Sequence, residues 1–321
     1  MPARTPAAAL LLAAALTVPP LSPIPPAALA ATAPVDPALS QTVTADESVA
    51  APGTPATIVA GHVDLGPLPN AEGPDADAAG EFALLARDDT AVPPVWRHTD
   101  DVVLRVGDAA AQTLPEGDQF DFTGASAGDT VWVVPQTEVP GVPWLGWNTQ
   151  SPDLIAAADR GVTFEFAGHN GPGQFSLFLQ NGGFEPPQLL WSSAAEGTQP
   201  FFVELNTHTH ANWVFTQPGI HQVALRVKIP LLDGTETATT RVVTFAVGDA
   251  TDDATAQAAS WQGEFRMAEA GTGTGTGTAS SHGSDSQAMD SNTWWLLGAG
   301  VLVCAVIGAA GIASTRKGGR R

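Results

Sequence analysis

Short runs in which apolar and polar residues alternate, cut apart by glycine and proline, leave this chain few ways to fold. Val102–Val106, Val131–Val134, Val162–Phe166, Phe175–Leu179, Phe201–Leu205 and Asn212–Phe215 each read as strands, and Val223–Val227 and Arg241–Val247 read as two longer ones. Pro218-Gly219, Asp233-Gly234, Asn181-Gly182-Gly183 and Gly171-Pro172-Gly173 supply the turns between them. No long amphipathic helix interrupts the pattern, although 154–160 could form a short one. The expected class is all-β, an immunoglobulin-like β-sandwich with elaborated loops. The segment from Trp213 to Val227 resembles the closing hairpin of such domains.

The two ends have a different composition. Arg4 is the sole charge before an apolar run from Ala7 to Val18, and a proline-rich stretch then reaches Ala28-Leu29-Ala30. This order predicts a signal peptide over 1–30. Near the other end, 294–313 is uncharged and has the length of one bilayer-spanning helix. Trp294 and Trp295 flank it on one side, with Arg316, Lys317, Arg320 and Arg321 on the other. Indoles favour the interface and cations stay in the cytoplasm, so the expectation is a single-pass plasma-membrane protein with its main domain outside. The remaining divisions are a disordered arm at 31–55, a surface domain at 56–249, a flexible stalk at 250–293 and a basic cytoplasmic tail at 314–321. No Leu-Pro-x-Thr-Gly sorting signal precedes the apolar run.

Five of the 13 cations lie in these flanks, which carry no acids, so 8 cations face 33 acids in the exported part, a net −25. Such a surface repels nucleic acid, and none is expected as a partner. The one cysteine, Cys304, falls in the apolar run, leaving the domain without disulfides.

His208 and His210 are two apart, so on an extended chain their imidazoles leave the same face and could grip Zn²⁺ or another divalent ion. His62 with Asp64, also two apart, is the best source of further ligands. His98 beside Asp100, and His169, are weaker ones. His221 shares parity with Val223 and Leu225 and reads as a packed side chain. Gly124-Ala125-Ser126-Ala127-Gly128 matches the serine-hydrolase elbow in letters, but it precedes a strand where that device needs a helix, so it reads as a turn. Acidic pairs such as Asp88-Asp89 and Asp100-Asp101 read as solvated loops. No catalytic constellation emerges, and the chain is expected not to be an enzyme. Trp144 and Trp147 either pack under a loop or stack on sugars, the latter pointing to an adhesin or glycan-binding module.

In order along the chain stand the segments 61–67 (Gly-His-Val-Asp-Leu-Gly-Pro), 131–137 (Val-Trp-Val-Val-Pro-Gln-Thr), 146–150 (Gly-Trp-Asn-Thr-Gln), Gly171-Pro172-Gly173 and 208–215 (His-Thr-His-Ala-Asn-Trp-Val-Phe). Together they resemble the actinobacterial surface-anchored protein family, the choice-of-anchor M domain, over 57–248. The resemblance implies an exported domain held by interchangeable anchors. It also implies a role near metal uptake, because members are often encoded beside metal-type ABC transporters, whose components become expected partners. One departure is His221, where the family commonly has tyrosine. Combined with the residue pattern, the expected metal ligands are His62, His208, His210 and Asp64.

Overall fold

The computed structural model describes residues 42–69, 82–182 and 185–267, all within one compact unit. The chain runs through β1 (Ser48–Val49), β2 (Ala56–Ile58), β3 (Gly61–Pro69), β4 (Phe82–Asp88), β5 (Val95–His98), β6 (Val102–Val106), β7 (Ala111–Thr113), β8 (Thr130–Val134) and β9 (Pro143–Asn148). A short helix α1 (Pro152–Ala157) follows, then β10 (Gly161–Asn170), β11 (Phe175–Leu179), β12 (Gln188–Ser192), β13 (Phe201–Glu204), β14 (His208–His210), β15 (Asn212–Phe215), β16 (Gly219–Pro230), β17 (Glu236–Val247) and helix α2 (Asp253–Gln257). The fold is all-β, as the alternation predicts. Helix α1 begins two residues before the expected 154–160, because the Ser151 hydroxyl caps the Leu154 amide and Pro152 fits the first turn. It ends before Arg160, whose φ is 67°.

Three sheets form, in the orders β1-β5-β4-β3-β9-β14, β13-β10-β16-β17-β6-β2 and β12-β11-β15-β8-β7. One core joins them in a sandwich-like arrangement. Val63, Leu65 and Trp147 come from the first sheet, Phe164, Leu225 and Phe245 from the second, and Leu177, Trp213 and Phe215 from the third. With no tyrosine in the chain, tryptophan and phenylalanine fill this interior. The expected hairpin from Trp213 to Val227 does not form. Strand β15 pairs with β8 and β11, and Gly219, at φ 141°, turns the chain into another sheet. The long hairpin is instead β16–β17.

The folded region extends beyond 56–249 at both sides. Residues 42–50, expected within a disordered arm, pack on the first sheet: Val43 is buried against Ala83, Leu85 and Trp96, and β1 pairs with β5. Past Val247, expected to lead into a stalk, Asp252 caps α2, and the following residues run over the second sheet. There the Arg266 amide donates to the Ala167 carbonyl while its guanidinium lies 4.9 Å over the Phe166 ring. The expected signal peptide at 1–30, the apolar run 294–313 and the expected basic tail lie outside the described residues.

Candidate metal centre

The face of the first sheet that turns away from the main core carries a second set of side chains. Val63 and Leu65 point inward from β3, so His62 and Asp64 point outward. The register places Asp64 opposite Arg87 of β4 on one side and Gly146 of β9 on the other, and Gly146 lies opposite His210 of β14. His208 is one pleat further along β14, opposite Asn148. The two histidine-bearing strands are therefore not neighbours. Strand β9 lies between them, and at about 4.8 Å per strand their backbones are separated by roughly 9–10 Å. Side chains cross that gap because residue 146 has none. A Cβ there would stand 2.6 Å from the Thr209 carbonyl oxygen, 2.7 Å from Asp64 Oδ1 and 2.8 Å from His210 Cε1.

Above Gly146, three imidazole nitrogens and one carboxylate oxygen converge. His62 Nε2 is 3.1 Å from His208 Nε2 and 3.0 Å from His210 Nε2, and the last two are 3.1 Å apart. Asp64 Oδ1 completes the set at 3.1 Å from His208 and 3.7 Å from both His62 and His210. A regular tetrahedron with metal–ligand bonds of about 2.0–2.1 Å has edges of about 3.3–3.4 Å, and the observed edges straddle that value. His62, Asp64 and His210 are buried, and His208 is half-buried. The cluster could hold a metal ion.

Three of the four ligands are backed by a neighbouring side chain: His62 by Asp89, Asp64 by Asn148 and His210 by Trp144. His62 Nδ1 lies 2.5 Å from Asp89 Oδ2, so the proton belongs on Nδ1 and the lone pair of Nε2 faces the cluster. Asp89 in turn accepts from Arg87 Nη1 at 2.9 Å. Asn148 donates to Asp64 Oδ2 at 3.1 Å. Trp144 stacks on the His210 ring with centroids 4.0 Å apart and planes 15° from parallel, while its Nε1–H donates to the Gln136 carbonyl.

Electrostatics favour the ligating forms. Burial pushes the His210 pKa down to about 3, with the charges of His62 and His208 adding to the effect and Asp64 opposing it, so its ring is neutral across the physiological range. Burial acts to raise Asp64, but the His208 hydrogen bond and the surrounding imidazoles outweigh it and hold the carboxyl below its ordinary value. Burial raises Asp89, against the opposing effects of His62 and Arg87.

All four expected ligands thus come together. His98, at the end of β5, and His169 do not join them. The Asp88-Asp89 pair was expected in a solvated loop, and the structure corrects this: both are buried, Asp88 on Arg97 and Asp89 on His62 and Arg87. Trp147 is in the core and Trp144 covers His210, so the two indoles do not form a joint exposed platform. Gly124–Gly128 is a turn before β8, with Gly124 left-handed at φ 78°. Comparison with family models, with curated proteins and with solved structures finds no match.

His221 is packed as its parity suggests, but with a partner: its Nδ1 is 2.9 Å from His169 Nε2, and its Nε2–H donates to the Gln217 carbonyl. Burial lowers both pKa values to about 4, and for His169 the neighbouring His221 and Arg266 charges contribute as well. An unfolded histidine takes its proton near pH 6.5, whereas this pair stays neutral in the fold until about pH 4. The unfolded state therefore binds more protons between those values, and stability falls as pH drops from about 6.5 to 4, by up to about 1.4 kcal/mol per unit for each histidine. Denaturant unfolding of the metal-free chain at pH 7 and pH 5 should show this loss, with a shallower slope in His169→Asn. Equal slopes would contradict it.

Proposed function

We propose that this chain is a non-enzymatic, membrane-tethered surface protein that binds one divalent transition-metal ion, zinc in the first instance, through His62, Asp64, His208 and His210. In this reading an immunoglobulin-like exported domain holds the ion outside the plasma membrane as an accessory to metal-type ABC transporter uptake.

The observation that carries the reading is the convergence of three Nε2 atoms and one carboxylate oxygen at tetrahedral spacing. Two further features support it. Among the described residues, buried Asp64 and Asp89 and half-buried Glu47 face the buried guanidinium of Arg87, a formal −2 that a divalent cation cancels. Four protein donors also fill a tetrahedral shell, whereas catalytic zinc sites keep one position for water or substrate. This supports a site that binds without turnover.

The test is a titration of the purified, chelator-treated chain with Zn²⁺, repeated with Co²⁺. One equivalent should bind, and Co²⁺ should give the intense visible bands of a tetrahedral N/O site. Failure to bind either ion stoichiometrically at neutral pH would end this reading.

A further inference from the structure

We infer that the segment 42–50 is a clamp coupled to the metal centre, so that ion binding tightens the segment on the sheet and docking of the segment strengthens ion binding. The inference rests on the metal reading above and assigns that site its regulation.

A chain of buried charged groups joins the two. Glu47 accepts from Arg87 Nη2 at 2.7 Å and from Arg87 Nε at 2.8 Å, a bidentate pair, and from Trp96 Nε1 at 2.8 Å. Arg87 Nη1 bonds Asp89, Asp89 holds His62 Nδ1, and His62 Nε2 belongs to the donor cluster. Glu47 is the segment's only charged side chain in this chain of contacts. Among the described residues its other attachments are few: the Thr42 carbonyl accepting from Arg87 Nη2 at 3.3 Å, Val43 in a small apolar cluster, the two-residue strand β1, and the Ala50 amide on the Trp96 carbonyl. A cavity of about 560 Å³ separates part of the segment from Val92, Pro93 and Pro94, with Glu47 and Arg87 among its walls. The segment is thus lightly held, and its main hold is on the residue that also positions Asp89.

The sign of the coupling follows from charge. Docking Glu47 adds a buried negative charge to a centre that already contains Asp64 and Asp89 against one Arg87. A divalent ion removes the resulting excess, so it favours the docked state. By linkage, the docked state favours the ion by the same factor. Docking also orients Arg87, and through Asp89 it fixes the ring of His62 for ligation.

The experiment is amide hydrogen exchange on the full-length chain in mild detergent, with and without one equivalent of Zn²⁺. The amides to follow are those of Thr44, Glu47 and Ala50, which bond Glu47 Oε1, the Thr44 carbonyl and the Trp96 carbonyl. Zinc should slow their exchange several-fold, leaving the β16–β17 hairpin unchanged, and Glu47→Gln should weaken zinc binding by about tenfold. Zinc bound to the wild-type chain with unchanged exchange in 42–50, or with equal affinity in Glu47→Gln, overturns the coupling and leaves the metal centre standing. Absence of zinc binding overturns both.

Discussion

Replacing His208 and His210 together by alanine should abolish the stabilisation by zinc expected of the proposed site. An ion that binds only the native state adds RT ln(1 + [L]/Kd), about 2.7 kcal/mol at one hundred times Kd. For a domain of this size that corresponds to a rise in Tm of about 5–10 °C. Wild-type protein should show such a rise between chelator and saturating zinc, and the double variant none. The comparison must be made within each protein, because the variant also deprives buried Asp64 of its His208 contact, 2.9 Å in the wild type, and is less stable before any metal is added. Asp89→Asn provides an intermediate case: it keeps all four ligands but weakens the charge-assisted bond that aims His62, and should cost about 10–100-fold in affinity. A zinc-induced shift that survives in the double variant would show that the ion sits elsewhere.

The strands were legible because each is a local alternation, and β6, β8, β11 and β15 fall where the pattern puts them. What strands pair with is not local. The turn at Pro218-Gly219 can close a hairpin or carry the chain into another sheet, and here β15 pairs with β8 and β11 while β16 pairs with β10 and β17. The ligand pairs were legible for the same reason as the strands, since two residues of one strand at i and i+2 share a face. Their supports were not. Asp89 reaches His62 only because β3 and β4 are antiparallel with Val63 opposite Asp88, a register that nothing in the Asp88-Asp89 dipeptide records. Glu47 and Arg87 likewise meet across forty residues, and an Ala/Pro/Thr-rich arm gives no local sign that one of its acids will be buried. Gly146 left a faint signal: it shares parity with Trp144 and Asn148, so a gap between two large side chains on one face could have been noted.

That gap leads to the second large effect, expected for Gly146→Ala. The backbone at 146 is not in the left-handed region, so alanine is allowed there, and any effect comes from what the added methyl touches. The methyl would press on the Thr209 carbonyl, Asp64 Oδ1 and His210 Cε1, all closer than 3.0 Å. Strand β14 has three residues and lies at the edge of its sheet, so it can yield by several tenths of an ångström without unmaking the core. The fold should therefore persist at a cost of about 1–3 kcal/mol, the usual range for an extra methyl in a packed site. Zinc affinity should fall by about a hundredfold or more, because a bound ion tolerates displacements of only about 0.2 Å in its ligand distances. Unfolding of the metal-free variant and a zinc titration, run side by side, separate the two quantities. If Gly146→Ala bound zinc as the wild type does, the ligands would not be meeting over residue 146, and an ion held by His62 and the β14 pair together would be ruled out.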